Sequence, residues 1–168
     1  IGDGLVVFGI DHEDNTTSLH YKNIISGYSE RIFESQTELL GNTDMTIDSY
    51  EDRIIFDSLT GIHVFNISNG ETKSLENIAQ DIHRPEISGD NIAFLSEDTL
   101  YITNDDFSIF DELPEVHRFK LEGNQIVYTK RGEPSELRLY DINNKTDRLL
   151  INDFNYSTAD IYITPYFH

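Results

Sequence analysis

Cysteine is absent from the 168 residues, which removes disulfides, thiolate metal sites and cysteine nucleophiles together. No apolar run approaches the roughly 18 residues that cross a bilayer as a helix, so no membrane span is expected. Basic residues are scarce, 12 against 31 acidic, and the net charge is −19. A field of that sign repels phosphate backbones, and the few Lys and Arg residues do not cluster in the sequence, so nucleic acid is not an expected partner. The opening residues, "IGDGLVVFGIDHEDN", lack a basic segment and a small-residue cleavage site, the marks of a secretory leader. The chain reads as a piece of something longer.

What is present are short apolar runs rich in Ile, Val, Phe and Tyr, with 38% hydrophobic and 11% aromatic residues, enough for a packed core. These runs recur. "VVF" ends at Phe8, "IIF" at Phe56, "IAF" at Phe94, "IVY" at Tyr128 and "IYI" at Ile163, at intervals of 48, 38, 34 and 35 residues. A second landmark, "LHYKNI" from Leu19, "IHVFNI" from Ile62, "LYITND" from Leu100 and "LRLYDI" from Leu137, follows at 43, 38 and 37. Two landmarks in step indicate one unit written several times. Each alternates at period two, the mark of a strand; Leu137 and Leu139 read as the buried face against Arg138 and Tyr140. Asn, Asp and Gly after the second landmark supply hairpin turns. A strand precedes the first landmark ("RPEIS", "RFKLE"), and another follows the second in three units ("SERIF", "TKSL", "TDRLL").

Each unit therefore reads as four short antiparallel strands, a to d, the period of a propeller blade. The expected fold is all-β: a β-propeller segment with blades near 1–41, 42–82, 83–116 and 117–153, and a partial fifth at 154–168. "IGDGLVVF" and "YSTADIYI" both align on Ile87 to Phe94. Two ends that both carry strand b do not complete each other, so the remaining blades are expected from other residues, from a protein partner or from further copies of the chain.

"RPEISGDNIAFLSEDTLYI" resembles the Tol-associated, periplasmic-type β-propeller repeat. Pro85, Ser88, Asp90, Ile92, Ala93 and Phe94 match that repeat, while Ile87 stands in place of its Trp and Gly89 in place of its second Pro. The other units keep the shape, as at Leu121, Gly123 and Tyr128, but not the letters. The resemblance implies the propeller fold. Because such propellers serve as binding platforms, gating domains, envelope components and occasional lyases, it implies no single chemistry. A WD-type adaptor is a poorer match, since its Gly-His and Trp-Asp dipeptides are missing.

Three groups of residues invite a chemical reading. "DHEDN" offers Asp11, Glu13 and Asp14, hard oxygen donors of the kind calcium takes, without the Asp-x-Asp-x-Asp-Gly spacing; a solvated acidic loop is the plainer account, and no other cofactor is expected. His83-Arg84 and His117-Arg118 recur just ahead of strand a, where blade topology would bring cations to one mouth of the channel to hold an anion. Some lyase propellers of the type resembled bind a metal through channel histidines. His20 and His63, equivalent in strand c, share their place with Tyr101 and Arg138 and read as a packing position. Asn15, Asn66, Asn144 and Asn155 head Asn-x-Ser/Thr triplets that accept N-glycans in a glycosylating secretory route.

The acidity, the sequons and the lack of a catalytic constellation favour a non-enzymatic segment of an exported surface or envelope protein, acting as scaffold or interaction platform. The alternative is a propeller enzyme of the polysaccharide lyase type, or the substrate-gating propeller of a hydrolase.

Overall fold

Repeated tight turns, more than strand propensity, set where the chain reverses. Between strands a and b of three repeats the backbone turns left-handed at the same place: Glu51 (φ 54°), Gly89 (φ 59°) and Gly123 (φ 57°). Glycine adopts that conformation freely, whereas a side chain strains it by about 1–2 kcal/mol. Glu51→Gly is therefore expected to stabilise the protein by about 0.5–1 kcal/mol after the extra freedom of the unfolded glycine is deducted. A urea denaturation midpoint that falls in this variant would contradict the assignment.

The protein, a computed structural model, is described over residues 4–13, 16–35, 46–58, 61–76 and 82–153. Among these described residues all regular elements are strands. The first sheet has three, β1 (Leu5–Asp11), β2 (Thr17–Asn23) and β3 (Ser29–Ser35). The second has β4 (Ile47–Tyr50), β5 (Arg53–Ser58), β6 (Gly61–Asn66) and β7 (Glu71–Glu76). The third has β8 (Ile82–Ser88), β9 (Asn91–Ser96), β10 (Thr99–Asn104) and β11 (Ile109–Leu113), and the fourth β12 (Val116–Glu122), β13 (Gln125–Lys130), β14 (Glu136–Asp141) and β15 (Thr146–Asn152). Each sheet is an antiparallel meander in sequence order, the form of a propeller blade. The partial fifth blade expected at 154–168 lies outside the described residues.

The chain divides into two compact units, Ile1–Pro85 and Glu86–His168. In the first, Leu19 and Tyr21 of β2 pack with Ile54, Phe56 and Phe65 of the next sheet, flanked by Leu5, Val7, Phe33 and Ile67. In the second, Ala93, Leu95, Leu100 and Ile102 pack with Phe119, Leu121, Ile126, Tyr128, Tyr140 and Ile142. Central strand β9 has no polar face: Ile92, Ala93, Phe94 and Leu95 are all buried.

In the fourth sheet, the face that a neighbour covers differs from the expected one. Tyr140 is buried in the core, while Leu137 and Leu139 are half-buried, because the Tyr140 face is the one that packs on β9 and β10. β11 is the expected fourth strand of the third repeat, for which the sequence pattern singled out no residues. Registers coincide from sheet to sheet: Leu19↔Phe33, Ile62↔Leu75, Leu100↔Leu113 and Leu137↔Ile151.

Candidate functional site

The His-Arg pairs lie inside strands β8 and β12, one residue in, rather than ahead of them. At the start of β12, Val116 pairs with Lys130 and Arg118 with Thr129, leaving His117 as the extra residue of a β-bulge. Glu115 before it is left-handed (φ 63°). A bulge re-aims the side chain it carries. Here it aims His117 toward Arg131 of the β13–β14 loop, whose Nη2 donates to His117 Nδ1 at 3.2 Å. Arginine only donates, so Nδ1 accepts and the imidazole carries its proton on Nε2. Arg131 Nη1 lies 2.9 Å from both carboxylate oxygens of Asp98, in the β9–β10 turn.

The backbone fixes the same neighbours. Val116 N donates to Asp98 O at 2.8 Å and Arg131 N to Glu115 O at 2.7 Å, and Lys130 Nζ sits 3.2 Å from Glu115. Two strand b–c loops and the entry to β12 thus present one compact group of opposite charges in the second unit. Arg131 and Asp98 are about half exposed, at 48% and 53%, so solvent limits the pair's contribution to stability while leaving both ends open to a partner.

In the first unit, Arg84 adopts a left-handed backbone (φ 54°), and its N–H donates to Asp57 Oδ2 at 3.2 Å. The other carboxylate oxygen of Asp57 takes Thr46 N at 2.7 Å. Burial pushes the Asp57 carboxyl above its usual range; the backbone donors and the charge of His83 pull it down, but less strongly. His83 therefore feels a carboxylate at the end of strand b, as His117 stands beside the loop that follows strand b.

Of the acidic loop, Asp11 closes β1 and Glu13 is exposed, while Asp14, Asn15 and also Asn155 lie outside the described residues. Among the described residues no group of three or more His, Asp or Glu side chains is placed to share a metal ion. The loop's His12 turns instead to Ser18 Oγ, 2.7 Å away, which also meets His20 Nε2 at 2.9 Å. A hydroxyl has one proton to give, so it bridges the two rings as donor to one and acceptor from the other. Asn66 Oδ1 accepts from Ser68 N at 2.8 Å, as the cap of its turn. Asn144 is exposed and donates to Asp141 at 3.1 Å.

The positions of His20 and His63 have a structural partner that strand c alone does not reveal. Phe8↔His20, Phe56↔His63, Phe94↔Tyr101 and Tyr128↔Arg138 face each other in register. The first three stack, with centroids 5.6, 5.1 and 5.5 Å apart. In the fourth, Tyr128 OH donates to Asp147 at 2.9 Å and Arg138 Nε reaches the same carboxylate. Burial, then this hydrogen bond, raises the Tyr128 phenol. Tyr140 OH donates to Asp111, and burial again leads the rise of its phenol. Tyr21 and Tyr28 both donate to Glu30; burial first, then Glu30, pushes Tyr21 up to about 12. These hydroxyls stay protonated across the physiological range and serve as donors, not bases.

No protein-family model matches the chain, and no curated protein does. Solved structures do. TolB from Acinetobacter baumannii is 14% identical with a TM-score of 0.58, over 89% of this chain and 41% of its own. An oligogalacturonate lyase in complex with manganese is 12% identical at 0.59, over 88% and 44%. A puromycin-hydrolyzing peptidase of Mycobacterium tuberculosis is 12% identical at 0.63, over 93% and 28%. The chain spans less than half the length of each. At these identities the likeness shows the fold, a partial β-propeller, and the diversity of the three proteins shows that the fold sets no one activity.

Proposed function

We propose that this propeller segment is a non-enzymatic interaction platform within an exported surface or envelope protein. It meets its protein partner through the loop edge carrying Asp98, Glu115, His117 and Arg131. The observation that supports this reading is the preset arginine: Arg131 is half exposed yet held by Asp98 and His117, on loops tied by Val116 N and Arg131 N. Arginine is enriched among the residues that carry binding energy, and a side chain already ordered loses less entropy on association. The acidic surface suits a protein kept soluble outside the cell. Structural likeness to TolB agrees with an envelope setting.

The test is co-purification from envelope and secreted fractions of the source cells with the wild-type chain, Arg131→Ala and a remote control, Glu71→Ala. One partner should be retained by wild type and Glu71→Ala and reduced at least about tenfold by Arg131→Ala, with an unchanged melting temperature. Equal retention by all three would overturn the reading. So would turnover of oligogalacturonate, with or without manganese, or of a peptide, which would establish the enzymatic alternative.

A further inference from the structure

A hydrogen bond that only one protonation state can make is a built-in response to acid. Arg131 Nη2 donates to His117 Nδ1 at 3.2 Å. A guanidinium has no lone pair to offer, so this bond needs a bare Nδ1 and a neutral ring whose proton sits on Nε2. The next proton that the imidazole takes therefore goes to Nδ1, the atom that Arg131 already holds. Proton and arginine compete for one lone pair. If the proton wins, Arg131 keeps one anchor, the Asp98 carboxylate with both oxygens 2.9 Å from Nη1. Contacts on two nitrogens fix the plane of a guanidinium, whereas contact on one lets it swing. The imidazolium and the guanidinium would also meet as like charges.

We propose that His117 is a proton-operated latch on Arg131: neutral, it holds the guanidinium in the plane that the platform presents; protonated, it lets go and turns toward the neighbouring carboxylates. The charges around it make that exchange possible. Glu115 precedes it, exposed and 3.2 Å from Lys130 of β13, and Arg118 follows it in β12. The β9–β10 turn brings Asp98, with Glu97 beside it. Asp98 and Glu115 give an imidazolium acceptors, while Arg131, Lys130 and Arg118 oppose its charge. As the extra residue of the bulge, His117 is not aligned by a ladder partner, and it is half-buried, so water and protons reach it. Arg138 is the internal contrast, because Asp147 and Glu136 hold it and neither is an imidazole. The weakening of partner binding in acid rests on the platform reading. The latch belongs to the chain alone and is measured without a partner, so either can fail without the other.

The experiment is an NMR titration of the isotope-labelled full chain. At the alkaline end the His117 ring should show the Nε2–H tautomer. As the pH falls through the imidazole range, about 5.5–7.5, the Arg131 guanidinium signals should shift in one step with the His117 ring. The Arg131 Nε order parameter should then drop below about 0.6, the mark of a flexible group, while Arg138 Nε does not move. In His117→Gln, whose amide oxygen can accept without titrating, the Arg131 step should vanish. In Arg131→Gln the His117 midpoint should rise, because linkage is reciprocal: if a proton weakens the hold of the arginine, the arginine weakens that of the proton. A His117 that serves only as packing would move neither. An Nδ1–H tautomer at the alkaline end, no Arg131 step or one that survives in His117→Gln, or a His117 midpoint that does not rise in Arg131→Gln would each overturn the proposal. If His117→Gln fails to fold, the tautomer and the Arg131→Gln midpoint decide it.

Discussion

Replacing Phe56 by alanine is expected to lower stability by about 3–5 kcal/mol, the cost of removing a fully enclosed aromatic side chain and leaving part of its cavity. Phe56 is wholly buried, with Phe33 edge-on at 5.2 Å and His63 stacked at 5.1 Å. Phe33 and His63 also contact each other at 4.9 Å, so removing the phenyl ring strips two rings of their common neighbour, and packed rings do not close such a gap without leaving their rotamers. His63 is further fixed by Ser58 Oγ on Nε2 at 2.7 Å and Ser74 Oγ on Nδ1 at 2.8 Å, which restrains it from following. Phe8 supplies the internal comparison. It holds the same place in the first repeat and stacks on His20 at 5.6 Å, but it is only half-buried. Phe8→Ala is expected to cost about 1–2 kcal/mol, in proportion to the smaller area withdrawn from water. Urea denaturation of both variants checks the pair. Equal losses would mean that the two positions are not packed as the repeat requires.

The legible part of the fold was the part written in every repeat. An aromatic residue within strand b and an aliphatic one near the start of strand c recur because each blade needs them at the same depth, and their spacing survives when the letters change. Burial within a strand was less legible. Period two separates the two faces of a strand without saying which a neighbour covers; in β14 it is the face of Tyr140, not that of Leu137 and Leu139, that packs on the sheet before it. The residues of the third repeat's fourth strand, β11, are hard to place from sequence because "NDDFSIFDEL" reverses through Phe107 in a left-handed conformation (φ 56°) without a glycine to announce it.

The site was less legible still. A bulge adds one residue to one strand, so His117 could not be told from an ordinary strand residue by spacing. The His117, Arg131 and Asp98 group draws on two repeats whose pairing exists only once their sheets are placed. His20 and His63 hold equivalent places in strand c, and their partners Phe8 and Phe56 are the landmark residues of strand b. Pairing each landmark's last residue with the second residue of the next would have exposed the Phe–His, Phe–Tyr and Tyr–Arg series from the sequence.

Asp57 gives the prediction in which charge and packing oppose each other. Its carboxylate accepts Thr46 N at 2.7 Å and Arg84 N at 3.2 Å, so it ties the approach to β4 and the second residue of β8's His-Arg pair to the end of β5. Asp57→Ala leaves both N–H groups without that acceptor and is expected to cost about 1–3 kcal/mol. Asp57→Asn retains one acceptor oxygen but turns an amide NH2 toward the other donor, and should cost less. The pH dependence separates the carboxylate's charge from its geometry. Burial is the leading influence on Asp57 and raises its pKa. A carboxyl whose folded pKa lies above its unfolded one binds its proton more tightly in the fold. Its contribution is then greatest below the ordinary aspartate range and declines as pH rises through the raised value. Asparagine does not titrate, so the stability gap between wild type and Asp57→Asn should be widest in acid and narrow toward neutral pH. Taking the difference cancels the repulsion among the other carboxylates of this acidic chain, which both proteins share. Urea denaturation at a series of pH values measures the gap directly. A gap that instead widens with rising pH would show that the hydrogen bonds and His83, rather than burial, dominate the carboxylate.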